Sequence, residues 1–328
     1  MPFIDLGGEL DPEAAALGWM KADMARVIDL RHDPLFNFVL FKLGPERFLF
    51  YQRVHHIVND GFSRALVARR VAEVYTSLAN GLPDGGSVFG SLRLLVEEEE
   101  RYRASRQFAE DRRYWLERLA GAPEPVSLAS RPAGVFSSFL RLSESLDPDR
   151  AERLRMVAQH SGTSLPQIIT AVMAAYLHRM TGADEVILGL VVSARSDVIS
   201  QNIPGMLSNV LPLRLKVNSG MTVLELIQAV GQEIWEGLPH QRYRSKELSR
   251  ELGPGTADRK LYGPEISFMS FDYDPHFAGH RATRHNLSNG WVEDLSIAVY
   301  DRSKGGGLQI DLDANPSLYT TDDLEAHG

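Results

Sequence analysis

Residues 51–63 read YQRVHHIVNDGFS. The alternating run RFLFYQRVHH (47–56) ends in two histidines, and Asp60-Gly61 then opens a helical pattern. That pattern, FSRALVARRVAEVYTSLANG, puts Val67, Val71, Val74, Tyr75 and Leu78 on one face before Asn80-Gly81 and Pro83 stop it. The stretch is thus a strand-to-helix turn, with Gly61 where the backbone calls for a positive φ or a close approach. Adjacent histidines on a regular strand point to opposite faces, so they do not share a metal ion. No second cluster has the spacing of a metal motif. Two readings stay open. One is an imidazole held at a junction for acid–base work; the other is an ordinary pair, one ring packed and one exposed. Spacing alone does not choose between them.

Outward from this turn the chain alternates strands and helices. Asp11-Pro12-Glu13 is an N-cap, first-turn proline and dipole partner. Leu17, Met20, Met24 and Val27-Ile28 follow at helical spacing. LFNFVLFKL (35–43) and RFLFYQRVHH make a hairpin around Gly44-Pro45-Glu46. One long helix is expected over about 91–120, with Glu97–Glu100 as a solvated face. GAPEPVSLASRPAGVF (121–136) reads as a linker. Beyond it come the strand SFLRLSESL and a helix after Asp147-Pro148 to about His160. A buried helix capped by Ser164 follows, then the apolar strand EVILGLVVSA (185–194) and the strand VLPLRLKV (210–217). A helix over 222–237 and the strands EISFMSFDY, LSIAVYDR and GLQIDLDA complete the pattern. The Gly305-Gly306-Gly307 run is a hairpin turn, since no helix follows it.

Composition narrows the function. The 328 residues are 44% hydrophobic and 24% charged, with net charge −8. That is globular material without a basic stripe for nucleic-acid phosphates. The absence of cysteine excludes disulfides, thiol nucleophiles and thiolate metal sites, and suits a cytoplasmic location. No apolar run reaches the ~20 residues a membrane span needs. The N-terminus lacks the pattern of a secretory signal.

HHIVNDG resembles the HHxxxDG signature of the condensation domains of nonribosomal peptide synthetases, in the chloramphenicol acetyltransferase-like superfamily. VVSARSDVISQNIPGMLSNVLPLRL resembles that family's second-lobe segment through Ala194-Arg195, Gly205, Asn209 and Arg214. HQRYRSKEL (240–248) resembles its His-Gln motif, and the final strands resemble the domain's end. The resemblance spans essentially the whole chain. It implies an α/β fold of two acetyltransferase-like sandwich lobes in a V-shaped pseudo-dimer. A partial N-terminal lobe would occupy residues 1–128 and a C-terminal lobe 129–328.

The implied activity is amide-bond formation between a carrier-bound acyl or aminoacyl thioester and a carrier-bound aminoacyl acceptor. A stand-alone acyltransferase and a catalytically silent recruitment domain are the alternatives. His56 is then the catalytic residue, as base or positioner, and His55 is structural. Asp60 is expected to pair with Arg195, and Gly61 to let the backbone approach the thioester. Asn209 and Ser296 are expected to line the channel. No metal or bound cofactor is implied, because phosphopantetheine arrives on the carriers. The partners are upstream and downstream carrier proteins and an adjacent adenylation domain. Intact His55-His56 argues against the cyclising members, which carry two aspartates there.

The family's Ser-x-Ala-Gln and Arg-His-Glu segments have no counterpart before His55, and RHDPLF (31–36) is only a loop. The chain is therefore expected to lack part of its first lobe and, after TTDDLEAHG, a closing helix. An exposed sheet edge would follow, with low solubility or a partner filling that edge.

Overall fold

The computed structural model describes residues 1–129, 139–253, 259–269, 275–290, 292–301 and 306–328. They form two compact units, Met1–Asp60 and Gly61–Gly328.

In the first unit Asp11 caps α1 (Pro12–Met24), its Oδ1 accepting the Ala14 N–H at 3.0 Å. The helix stops at Met24, short of the expected Val27-Ile28, and Val27 lies exposed. β2 (Phe36–Gly44) and β3 (Arg47–Val54) form the expected antiparallel hairpin. A short strand not foreseen from the sequence, β1 (Phe3–Asp5), adds in parallel to β2. Val39, Phe41, Tyr51, Ala16 and Met20 are buried, and Trp19 meets the Phe41 and Tyr51 rings edge-on at 5.3 and 5.9 Å. Asp23, also buried, accepts hydrogen bonds from Arg53 Nε (2.6 Å), Tyr51 (3.0 Å) and Asn37 (3.1 Å). Burial alone would raise its carboxyl, but these donors hold it below the ordinary range.

The second unit opens with α2 (Gly61–Ala79), which ends as expected before Gly81 (φ 71°). Where one long helix was expected there are two, α3 (Leu92–Arg103) and α4 (Arg106–Arg118). Ser105 makes the break by capping α4 through the Phe108 N–H at 3.3 Å. The acidic run is laced with arginines, in the pairs Arg93–Glu97, Arg101–Glu98 and Arg103–Glu99.

A six-stranded mixed sheet follows. Its strands are β4 (Leu140–Leu146), β5 (Glu185–Val192), β6 (Asn209–Lys216), β7 (Glu265–Met269), β10 (Leu295–Asp301) and β11 (Leu308–Ala314). They lie in the order β4-β11-β10-β7-β5-β6, with β7 parallel to both β10 and β5. The two-residue strands β8 (His276–Phe277) and β9 (His280–Arg281) make a separate ribbon. α5 (Pro148–His160) and α6 (Leu165–Thr181) start at the expected caps, Asp147 and Ser164, the latter with Gln167 in a capping box. α7 (Val223–Gly237) matches its expectation, whereas α8 (Ser245–Leu252) and α9 (Thr321–His327) were not foreseen; α9 is formed by the TTDDLEAHG segment itself. β10 and β11 pair as the expected hairpin, while its turn residues 302–305, including Gly305, lie outside the described residues. Ser270–Tyr273 of the expected EISFMSFDY strand also lie outside them.

Strand alternation gives this sheet two unlike faces. Leu188, Leu190, Leu211, Leu213, Ile266, Ile297 and Leu312 join the side chains of α6, α7 and α9 in one apolar core. The opposite face carries a registered row of Arg141, Asp313, Ser296, Glu265 and Gly189. The described part of the expected linker is tied down rather than slack. Ser127 donates to Asp294 Oδ1 at 2.8 Å and Arg259 Nη2 to the Ala122 carbonyl at 2.6 Å. The Val126 carbonyl oxygen lies where a Cβ on Gly263 would meet it at 2.0 Å, so only glycine fits there.

Candidate active site

The HH turn belongs to the first unit. β3 ends at Val54, so neither histidine sits on a regular strand and the opposite-faces argument does not govern them. His55 is extended (φ −67°, ψ 135°), and its N–H donates to the Leu35 carbonyl at 2.7 Å. Its Nδ1 accepts the Ile57 N–H at 3.1 Å, capping a 3₁₀ turn over His56–Val58. An Nδ1 that accepts this bond belongs to the tautomer carrying its proton on Nε2. Serine, threonine, aspartate and asparagine are the residues that signal a cap, so nothing in the pattern announced this histidine. His56, the first residue of the turn, is exposed. Asp60 ends the unit with 1% exposure.

Gly61 is the first residue of α2, so of the two alternatives expected for it, a positive φ or a close approach, the positive φ is excluded. Two residues on, Ser63 is completely buried and binds Gly205 twice, donating to its carbonyl and accepting its N–H, both at 2.8 Å. Arg195, 6% exposed, adds its Nη2 to the same knot, 2.7 Å from Ser63 Oγ and 3.0 Å from the Gly205 carbonyl. Its guanidinium lies 4.8 Å from the centre of the Phe62 ring. A Cβ at Gly205 would come within 2.9 Å of Leu95 Cδ1 and would have to push that side chain aside. No motif singles out Ser63 in the sequence; its place three residues after Asp60, in the first turn of α2, is the signal that points to it.

Immediately before Arg195, Ala194 holds φ 51° in the left-handed region, and its N–H donates to Gln241 Oε1 at 3.1 Å. Gln241 belongs to the HQRYRS segment, which is anchored on several sides. Trp115 Nε1 donates to the His240 carbonyl (2.9 Å), and the His240 ring bonds the fully buried Asp111 through Nδ1 (2.7 Å). Tyr102 donates to the other Asp111 oxygen at 2.7 Å. Asn209 is buried and spends its whole amide here, donating to the Gln241 and Tyr243 carbonyls (2.9 and 2.7 Å) and accepting the Ser245 N–H (3.0 Å).

Ser296 lies elsewhere. Asn209 shares the apolar face of the sheet with Leu211, whereas Ser296 is in the polar row, so the structure does not bring these two together. The Ser296 hydroxyl bonds the Glu265 carboxyl. Burial pushes that carboxyl above its ordinary value; Ser296 opposes the shift, while the negative charges of Glu293 and Asp313 add to it. At the end of the row Arg141 grips Asp313 with Nε and Nη2, both at 2.6 Å. Arg214 has a separate task. Its Nη1 donates to the Arg118 and Ala120 carbonyls at 3.0 Å each, closing the C-terminus of α4, and it pairs with Glu185. Among the described residues no group of three or more His, Asp or Glu side chains is placed to hold a metal ion, and no helix is long and apolar enough to cross a membrane.

A family model described as Condensation domain matches residues 2–327. The dimodular nonribosomal peptide synthase of Bacillus subtilis (strain 168) is 48% identical over 324 residues, 99% of this chain and 14% of that protein. The isonitrile lipopeptide synthase of Streptomyces coeruleorubidus is 46% identical over 98% of this chain and 22% of its own length. The chain thus spans under a quarter of either relative. Among solved structures, a mutant starter condensation domain of rhizomide synthetase, in complex with C8-CoA and Leu-SNAC, superposes with a TM-score of 0.92. It is 42% identical and is matched over 100% of this chain and 74% of that one. The first condensation domain of the CDA synthetase gives a TM-score of 0.89 at 36% identity, over 100% and 72% of the two chains.

Proposed function

The chain belongs to the condensation-domain family of the nonribosomal peptide synthetases, and from that membership we propose that it joins two carrier-bound substrates by an amide bond. The α-amine of an aminoacyl thioester attacks the carbonyl carbon of an acyl or aminoacyl thioester. A C–N bond forms, the C–S bond breaks, the thiol leaves and the amine gives up one proton. His56 is the residue assigned to that proton and to the orientation of the amine. Holding both tethered substrates together supplies much of the acceleration. Upstream and downstream carriers, with phosphopantetheine on each, an adjacent adenylation domain and a cytoplasmic setting belong to the same proposal. So does a division into two acetyltransferase-like lobes at 128/129.

The observation that carries this reading is the match to the condensation-domain family over residues 2–327, which includes the whole HH turn. His55 is committed to a backbone cap, whereas His56 is exposed on the turn that the cap stabilises. Asp60 and Arg195 are proposed as the supporting ion pair and Gly61 as the residue that admits the thioester. Ser296 is assigned to channel lining together with Glu265. Asn209 contributes to the channel wall by holding the 241–245 backbone. The test is single-turnover formation of a dipeptidyl thioester. His56→Ala is expected to slow it by ~10²–10⁴-fold, the usual contribution of a positioned base. His55→Ala loses a cap bond, about 1 kcal/mol of stability, with a far smaller effect on rate. Equal losses of rate from the two variants would undo the assignment.

A further inference from the structure

We propose that Gln241 is a positioning residue for the reaction, its side-chain oxygen holding Ala194 in a left-handed conformation that aims Arg195 at the start of α2. This rests on the amide-forming reading above. β5 ends at Val192, and within three residues the chain delivers Arg195 to Ser63 and Gly205. The sharp change of direction falls on Ala194 at φ 51°, a region that residues with a Cβ rarely occupy. Alanine brings no side chain able to stabilise such a turn locally, unlike glycine or asparagine. What holds it is a partner 47 positions away, the Gln241 side chain, at 3.1 Å.

Gln241 is itself hard to move. Asn209 Nδ2 grips its carbonyl at 2.9 Å, and its own N–H donates to the Leu238 carbonyl at 3.2 Å. On either side, His240 is fixed by Asp111 and Arg244 Nη1 donates to the Leu207 and Ser208 carbonyls at 2.9 and 3.2 Å. The HQRYRS segment therefore grips the 194–209 loop at both of its ends, and Gln241 is the grip next to Arg195. A strained residue persists only where its surroundings over-determine it, and here they do.

The proposal has a specific genetic signature, because glycine takes a positive φ without help. In the full chain, with small acyl and aminoacyl thioesters as substrates, Gln241→Ala is expected to lower kcat roughly tenfold with little change in KM, a loss of orientation rather than of binding. It should also lower Tm by about 2–4 °C. Adding Ala194→Gly should return both kcat and Tm to within about twofold and about 1 °C of Ala194→Gly alone. Gln241→Glu keeps the accepting oxygen and should stay near the unaltered chain. If the double variant melts as low as Gln241→Ala, the clamp does not exist. If Tm recovers but kcat does not, Gln241 acts on the substrate and not through Ala194, which overturns the positioning role. Should the unaltered chain make no amide, the functional reading fails while the melting comparison still decides the clamp.

Discussion

The two faces of the six-stranded sheet share every backbone hydrogen bond and differ only in what alternates onto them. One face is leucine, isoleucine and valine under three helices. The other runs Arg141, Asp313, Ser296 and Glu265 across four strands, with Asp313 1% exposed. Burying apolar surface stabilises on its own, at about 25 cal/mol per Å². Burying charge does so only when each group is matched, and a buried pair is often no better than two packed apolar residues. The apolar face accounts for the fold. The polar face holds together by matching its groups, Arg141 to Asp313 and Ser296 to Glu265.

That contrast can be broken at its ends. Arg141→Ala leaves the Asp313 carboxylate buried without its guanidinium partner, beside the Asn289 amide (2.9 Å), and urea unfolding should show a loss of about 3–5 kcal/mol. A loss under about 1 kcal/mol would mean that the row is not a coupled unit. On the other face Leu213→Ala should lose about 2–5 kcal/mol, and it should do so equally at every pH, since only packing is removed. Glu265→Gln comes last because its sign is reversed. The folded protein holds this carboxyl above its ordinary value, through burial first and then its negative neighbours. Its contribution is therefore fully present below the unfolded pKa and lost as pH rises through the folded one. The Gln variant should match the unaltered chain near pH 4 and melt at a higher temperature at pH 8. A melting advantage that does not grow with pH would show that Glu265 is not held protonated.

Much of the fold was legible because it is written locally. Asp11-Pro12, Asp147-Pro148 and Ser164 fixed three helix starts, and the alternating and apolar runs placed most of the strands. The errors also have local causes. Val27-Ile28 continued a helical period that the backbone did not follow, and a single serine, Ser105, outweighed the continuity of the 91–120 pattern. The site was harder to read because its contacts are distant in sequence. Arg141 and Asp313 are 172 positions apart, and Arg195 and Ser63 are 132 apart. The motif residues His55 and Arg195 stood out, but nothing in a lone alanine announced the conformation of Ala194. The opposite faces of Asn209 and Ser296 depend on strand register, which no local spacing reveals.

The segment over 121–129 has a practical consequence for anyone who would exchange parts of such a chain. It looks like a natural splice point, rich in proline and short of regular structure. Yet Gly263 leaves a slot just wide enough for the Val126 carbonyl, and Ser127 and Arg259 fasten the same stretch on either side. A graft made there would carry one half of a fitted joint away from the other, so a chimera needs the 259–263 strand lead-in from the same parent as residues 121–129.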